Sequence, residues 1–322
     1  MKKTILLLFL TFLPADGFCF FFGRGADRTP EMFETMRSDF EKGDCASVFG
    51  KAGSFFNERP SSELKEKAYQ YMGRCYEREG LADRAISLYQ LASGLYPENH
   101  FFAARLAGIY LNTGFYENSI TLFVKIISVR SWDLEANLGL ARAYARLGFL
   151  SRAKNYYSRA AALTNFGDPA MLKEYASLMI KKRDWPEVLM LAEKGRNAEP
   201  SDAFWPRTLA QVSSGKGDYK KAWAYMNSAL KLSPESRPLA LERALYLLLS
   251  GNTGAAIAGA DEALAKIARD PLAALIKAMA LFKEGKIDRA RSYFESAARD
   301  GEPFTAKIAG AFLKASTAKE NR

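Results

Sequence analysis

Residues 66–99, EKAYQYMGRCYEREGLADRAISLYQLASGLYPEN, decide how the rest of the chain is read. Gly80 stands at the centre of this stretch, and its spacing to later glycines is regular. Gly80, Gly114 and Gly148 lie 34 residues apart, as do Gly217, Gly251 and Gly285. Gly148 and Gly217 are separated by 69 residues, two periods plus one inserted residue. Seven residues before these glycines come Gly73, Ala107, Ala141, Ala210, Ala244 and Ala278; five after them come Ala85, Ser119, Ala153, Ala222, Ala256 and Ala290. The period that lacks a glycine, residues 169–202, keeps Ala176 at the first small site and places Val188 at the second.

A recurrence of this kind specifies a repeated supersecondary unit. Glycine lets the chain turn at a helix end, where a side chain would be penalised in the left-handed conformation. The two small sites then let a pair of antiparallel helices approach closely. Large residues fill the remaining seam: Tyr76, Tyr110 and Tyr144 on the first helices, and Tyr89, Phe123, Tyr157 and Phe294 on the second. Pro97, Pro200 and Pro234 end pairs where a helix cannot continue.

These residues resemble the tetratricopeptide repeat. The resemblance implies an all-α, right-handed solenoid of antiparallel helix pairs, with units at 66–99, 100–133, 134–167, 169–202, 203–236, 237–270 and 271–304. A degenerate unit precedes them at 29–62, with Gly43 at its turn but Met36 at the first small site. Arg243 and Lys277 depart from the pattern, standing where the family buries an aliphatic side chain. Beyond the last unit, residues 305–322 carry Ile308, Phe312 and Leu313 at helical spacing, as a helix capping the final apolar face would.

Composition narrows the function. The 322 residues carry a net charge of +10, one His and three Cys. That disfavours a zinc enzyme, a Ser-His-Asp hydrolase and a disulfide-dense scaffold. The sequence has no phosphate-binding glycine loop, HExxH or nucleophile elbow, so no catalytic residue, metal or cofactor is assigned. Residues 1–17, MKKTILLLFLTFLPADG, read as a secretory signal cut before Phe18, followed by a linker over 18–28. This places the chain in an exported, periplasmic setting. The alternative is an uncleaved segment reaching residue 22 that associates the protein with a membrane.

In a tetratricopeptide stack the first helices line the concave face. By that analogy the partner-binding candidates are Arg74, Arg78, Arg142, Arg146, Lys173, Lys181 and Arg207 at a basic end, and Leu241, Leu245, Leu248, Leu275, Met279 and Phe282 at an apolar end. Such a groove suits a peptide or protein segment with an acidic stretch and a hydrophobic anchor. Lys173 and Ser177 followed by Thr208 do not reproduce the family's clamp for a C-terminal carboxylate. The 66–99 unit is also similar to exported bacterial tetratricopeptide proteins of envelope assembly. The expected role is therefore a non-catalytic adaptor in the cell envelope. The alternative is a binder of an anionic polymer, polysaccharide or nucleic acid, although export argues against genomic DNA. Cys45 and Cys75 fall on helices expected to pack together, as a disulfide or as two buried thiols.

Overall fold

Among the described residues, seven glycines turn the chain in the left-handed region, with φ of +82° at Gly43, +69° at Gly80, +88° at Gly114, +79° at Gly148, +78° at Gly217, +91° at Gly251 and +78° at Gly285. In the period that lacks a glycine the same turn is made by Arg183, at φ +57°. A side chain in this region costs roughly 1–2 kcal/mol. The inserted residue also has a place: Asn165 and Phe166 take φ of +49° and +58° in the connection before Pro169.

The computed structural model describes residues 27–320, with side chains through residue 315. The expected signal at 1–17 and the linker up to residue 26 lie outside the described residues. Among those described, every element is helical, and the chain divides into two compact units that meet between Glu98 and Asn99 in sequence.

The first unit holds α1 (Thr29–Lys42), α2 (Cys45–Asn57), α3 (Ser62–Arg78) and α4 (Ala82–Leu95). Helix α3 begins four residues ahead of the expected unit start at 66, because the Ser61 hydroxyl accepts the Leu64 N–H at 3.3 Å and caps it there. The second unit pairs α5 (His100–Thr113) with α6 (Tyr116–Val129), α7 (Leu134–Arg146) with α8 (Leu150–Leu163), and α9 (Pro169–Lys182) with α10 (Trp185–Ala198). It continues with α11 (Phe204–Gly215) and α12 (Tyr219–Leu232), α13 (Arg237–Leu249) and α14 (Thr253–Lys266), and α15 (Pro271–Lys283) and α16 (Ile287–Asp300). Helix α17 (Pro303–Glu320) closes it, laying the Phe312 ring parallel to Phe294 with centroids 5.0 Å apart.

A second periodic device starts the first helices. Asn99, Asp133, Asp168, Asp202 and Asp270 accept backbone N–H groups of Phe101, Ala136, Met171, Phe204 and Ala273 at 2.7–3.1 Å. Each removes an orphan donor that the helix itself cannot satisfy.

All the small sites are buried, and from Ala107 to Ala278 each first-site alanine is 0% exposed. Within the second unit the first helices touch one another, α5 with α7 and α13 with α15, whereas no two second helices are in comparable contact. The first helices therefore form the tighter layer. Close approach is most evident where glycine faces an aromatic ring: a Cβ on Gly73 would lie 2.2 Å from Tyr89, and one on Gly139 would lie 2.2 Å from Phe123. The ring occupies the space that the missing side chain leaves.

Two opposing effects make this a direct test. Alanine in a helix interior is favoured over glycine by about 1 kcal/mol. Overpacking a close contact costs about 1–3 kcal/mol. At Gly108, in mid-α5, nothing lies within 4 Å of an added Cβ. Both variants share the propensity gain, so Gly108→Ala is expected to raise the urea midpoint and Gly139→Ala to lower it, with the two about 1–3 kcal/mol apart.

Candidate functional site

The cations expected to line a basic groove are mostly engaged within the fold. In the first unit, the Arg78 guanidinium sits 4.3 Å from the Phe40 ring centroid and donates to the Phe40 carbonyl at 3.0 Å, while Arg74 lies 5.0 Å from the same ring. The ring covers one face of the Arg78 guanidinium, and the Phe40 carbonyl takes one of its five N–H donors.

In the second unit the pattern is an ion-pair ladder with a one-repeat stride. Arg142 on α7 grips Glu174 on α9 through Nε and Nη2, both at 2.8 Å, and the Tyr157 hydroxyl donates to the same carboxylate at 3.1 Å. Lys173 reaches Glu199 at 2.7 Å and also pairs with Asp202. Arg207 on α11 donates through Nε to Glu242 on α13 at 3.0 Å. Arg237 donates to Asp270 at 2.5 Å, and Lys154 meets Asp184 at 2.9 Å and Glu187 at 3.1 Å. The paired carboxylates hold the Arg142, Lys173 and Arg207 cations above their ordinary pKa, chiefly by hydrogen bonding. Most of these pairs are half-exposed, so each contributes about 1 kcal/mol or less. Their effect on the surface is larger, because each neutralises a cation that a polyanion would need. Of the seven expected cations, Arg146 and Lys181 are exposed and, among the described residues, have neither an ion-pair partner nor the ring contact that Arg74 and Arg78 make.

The expected apolar end is corrected by the structure. Leu241 and Leu248 are 2% and 4% exposed and pack with Ala244, Ala256, Ala260 and Ile276. Leu275, 4% exposed, packs with Leu281, Phe294 and Ala309. Leu245, Met279 and Phe282 are half-buried against the same clusters, and α17 presses Phe312 to 5.5 Å from Phe282. These side chains are core because α13 and α15 are covered on several sides at once, by neighbouring first helices, second helices and α17.

Lys277 is accommodated where an aliphatic side chain was expected. Its ammonium binds the Tyr293 hydroxyl at 2.7 Å and Asp261 at 2.5 Å, and sits 4.2 Å from the Tyr293 ring centroid. Burial lowers its pKa, but the hydrogen bonds to Asp261 and Tyr293 outweigh that and leave it raised, so it stays charged.

Three successive first helices line a cleft of about 500 Å³: Ile180 of α9, Gln211 and Ser214 of α11, and Tyr246 of α13, together with Arg183 and Trp185. The Trp185 indole lies over Gly215, where a Cβ would come within 2.3 Å of it. Burial, reinforced by the Glu242 charge, keeps the Tyr246 hydroxyl above its usual pKa and therefore neutral. The cleft presents a carboxamide, hydroxyls, an aromatic wall and a guanidinium, a set able to hold a peptide backbone and an anionic side chain. The sequence expectations omitted these residues, apart from the neighbouring Lys181. Arg183 standing where every other turn has glycine was the available signal.

In the first unit, a disulfide joins Cys45, the first residue of α2, to Cys75 in α3, with a Cα–Cα distance of 5.3 Å. It ties two helix pairs together across a sequence separation of 30, and a loop of that length is worth about 3–4 kcal/mol by chain entropy.

Comparison with known proteins agrees with this architecture. A family model described as "Tetratricopeptide repeat" matches residues 160–303. Over 94 residues, 29% of this chain, the sequence is 33% identical to Superkiller protein 3 of Schizosaccharomyces pombe; the match spans only 7% of that relative's length. A tetratricopeptide repeat protein from Parabacteroides merdae superposes with a TM-score of 0.54 at 15% identity, over 78% of this chain and 98% of that one. A MamA RS-1 double mutant gives 0.50 at 14% identity, over 54% and 96%. At these identities the structural likeness is one of fold.

Asp270 offers a test of the ladder. Its side chain is fully buried, accepts the Leu272 and Ala273 N–H groups and pairs with Arg237. Burial pulls its pKa up, yet Arg237 and the two amides together hold it below the usual carboxylate range. A depressed carboxyl stabilises above its unfolded pKa of about 4 and loses that contribution as pH falls through its lower folded value. Asp270→Ala should therefore cost about 2–3 kcal/mol at pH 7, read by urea melts, and the gap from wild type should narrow as pH falls below the unfolded carboxyl pKa of about 4.

Proposed function

Because residues 160–303 match the tetratricopeptide repeat model and the helices stack in consecutive pairs, we propose that this chain is a non-catalytic scaffold that binds a segment of another protein. The segment lies across the first-helix face of the second unit, in the cleft floored by Ile180, Gln211, Ser214 and Tyr246. That three successive first helices contribute to one cleft is the observation that carries the reading, since an extended peptide needs contacts spread along a surface. The free cations Arg146 and Lys181, on α7 and α9, favour acidic residues flanking the anchored side chain. A rigid stack presents these groups already ordered, so less entropy is lost on docking.

The setting proposed is an exported bacterial compartment. The charged and apolar start of the sequence supports it, and the Cys45–Cys75 disulfide suits an oxidising environment. Binding to an anionic polymer finds less support, because Arg142, Lys173 and Arg207 are paired with carboxylates.

A peptide array with segments of about ten residues, followed by fluorescence anisotropy, tests the reading. Wild type should select peptides combining acidic and aromatic residues. Arg146→Glu with Lys181→Glu should weaken them at least about tenfold with an unchanged melting curve. Selection that ignores both substitutions, or affinity for heparin exceeding that for every peptide, would contradict it.

A further inference from the structure

A second opening lies on the opposite, second-helix side of the same unit, where α12 and α14 stand apart over α13. It is a cleft of about 680 Å³ lined by Leu230, Ala240, Arg243, Gly259, Ala263 and Ile267. Its existence depends on small residues. A Cβ on Gly259 would lie 3.3 Å from the Ala244 Cβ and 4.0 Å from Arg243 Nη2, so any larger side chain would enter this space.

At the floor is Arg243, at the position where the resemblance predicts an aliphatic residue. Its Nε is buried and has no hydrogen-bond partner. Lys277, the other departure, is fully engaged by Asp261 and Tyr293, so a polar group at such a site can be satisfied within the fold. Arg243 is not. A buried donor left unsatisfied costs about 1–3 kcal/mol, which a bound acceptor would recover.

The surrounding charges favour an anion. Lys266 pairs with Glu235 at 3.2 Å, and Arg237 pairs with Asp270, so neither pair adds net charge. Arg243 and Lys231 then stand against Glu262 alone. Leu230, Pro234, Ala263 and Ile267 supply apolar wall. The volume falls within the range of small-molecule sites, roughly 300–1,000 Å³.

We propose that this cleft binds an amphipathic carboxylate, a small molecule with an apolar body and one carboxylate that pairs with Arg243. The site shares no residue with the peptide cleft: α12 and α14 line it where α9 and α11 line the other, and α13 gives Ala240 and Arg243 to this one and Tyr246 to that one.

Isothermal titration with octanoate and its neutral counterpart octan-1-ol tests the assignment on the full chain. Wild type should bind octanoate about tenfold or more tightly than octan-1-ol, as a charge-assisted hydrogen bond requires. Arg243→Met, which keeps the apolar stem, should bring octanoate down to the level of octan-1-ol. Ala263→Trp, filling the cleft from its half-buried wall, should abolish binding of both. Wild type binding neither probe, or both equally, overturns the proposal, as does octanoate affinity that survives either substitution. If a variant does not fold, the comparison of the two probes on wild type decides the question alone.

Discussion

The close approach of paired helices at their small residues is the constraint on which the rest of the structure depends. Ala107, Ala141, Ala176, Ala210, Ala244 and Ala278 are all without exposed surface, and their partners Ser119, Ala153, Val188, Ala222, Ala256 and Ala290 are at most 1% exposed. Where the gap must be narrower still, as at Gly73 and Gly139, an aromatic ring from the neighbouring helix fills the vacated space. Dispersion contacts fall off steeply with distance, so these few positions set the spacing at which the large seam residues can interlock. Caps, turns and ion pairs then fix the ends of helices whose separation is already determined.

This ordering explains what could be read from the amino acids and what could not. Glycine spacing located the turns because the left-handed conformation penalises other residues, a local requirement visible in a single chain. Even the exception was legible in part: the inserted residue appears as Asn165 and Phe166, and the missing glycine as Arg183. Cys45 and Cys75 could be brought together on paper because the repeat fixes which helices are neighbours.

Charge use was not legible. Arg142 and Arg207 look like surface cations until Glu174 and Glu242, 32 and 35 residues away, are seen to meet them. Sequence patterns detect partners three or four residues apart on one helix, not partners one repeat away. The leucines of α13 and α15 failed for a related reason. A helix covered on several sides is apolar around most of its circumference, so periodicity no longer marks an exposed face. Leu241, Leu248 and Leu275 were thus assigned to a surface that the fold does not leave open. The same covering isolates Arg243, and nothing in its local sequence signals a cleft between two second helices.

The two faces of the second unit consequently have different chemistry. The first-helix side is closely packed, bridged by ion pairs and open at a polar, aromatic-walled cleft. The second-helix side, where helices diverge, has the larger apolar opening. Both rest on the same small contacts. Hydrogen exchange on Ala141→Leu, followed by mass spectrometry, tests that dependence most directly. Nearest-neighbour stacking predicts lost amide protection in α7 and α8 and the adjoining pairs, with α15 and α16 retaining theirs. Protection unchanged throughout would show that the helix spacing tolerates a larger side chain and would contradict the account.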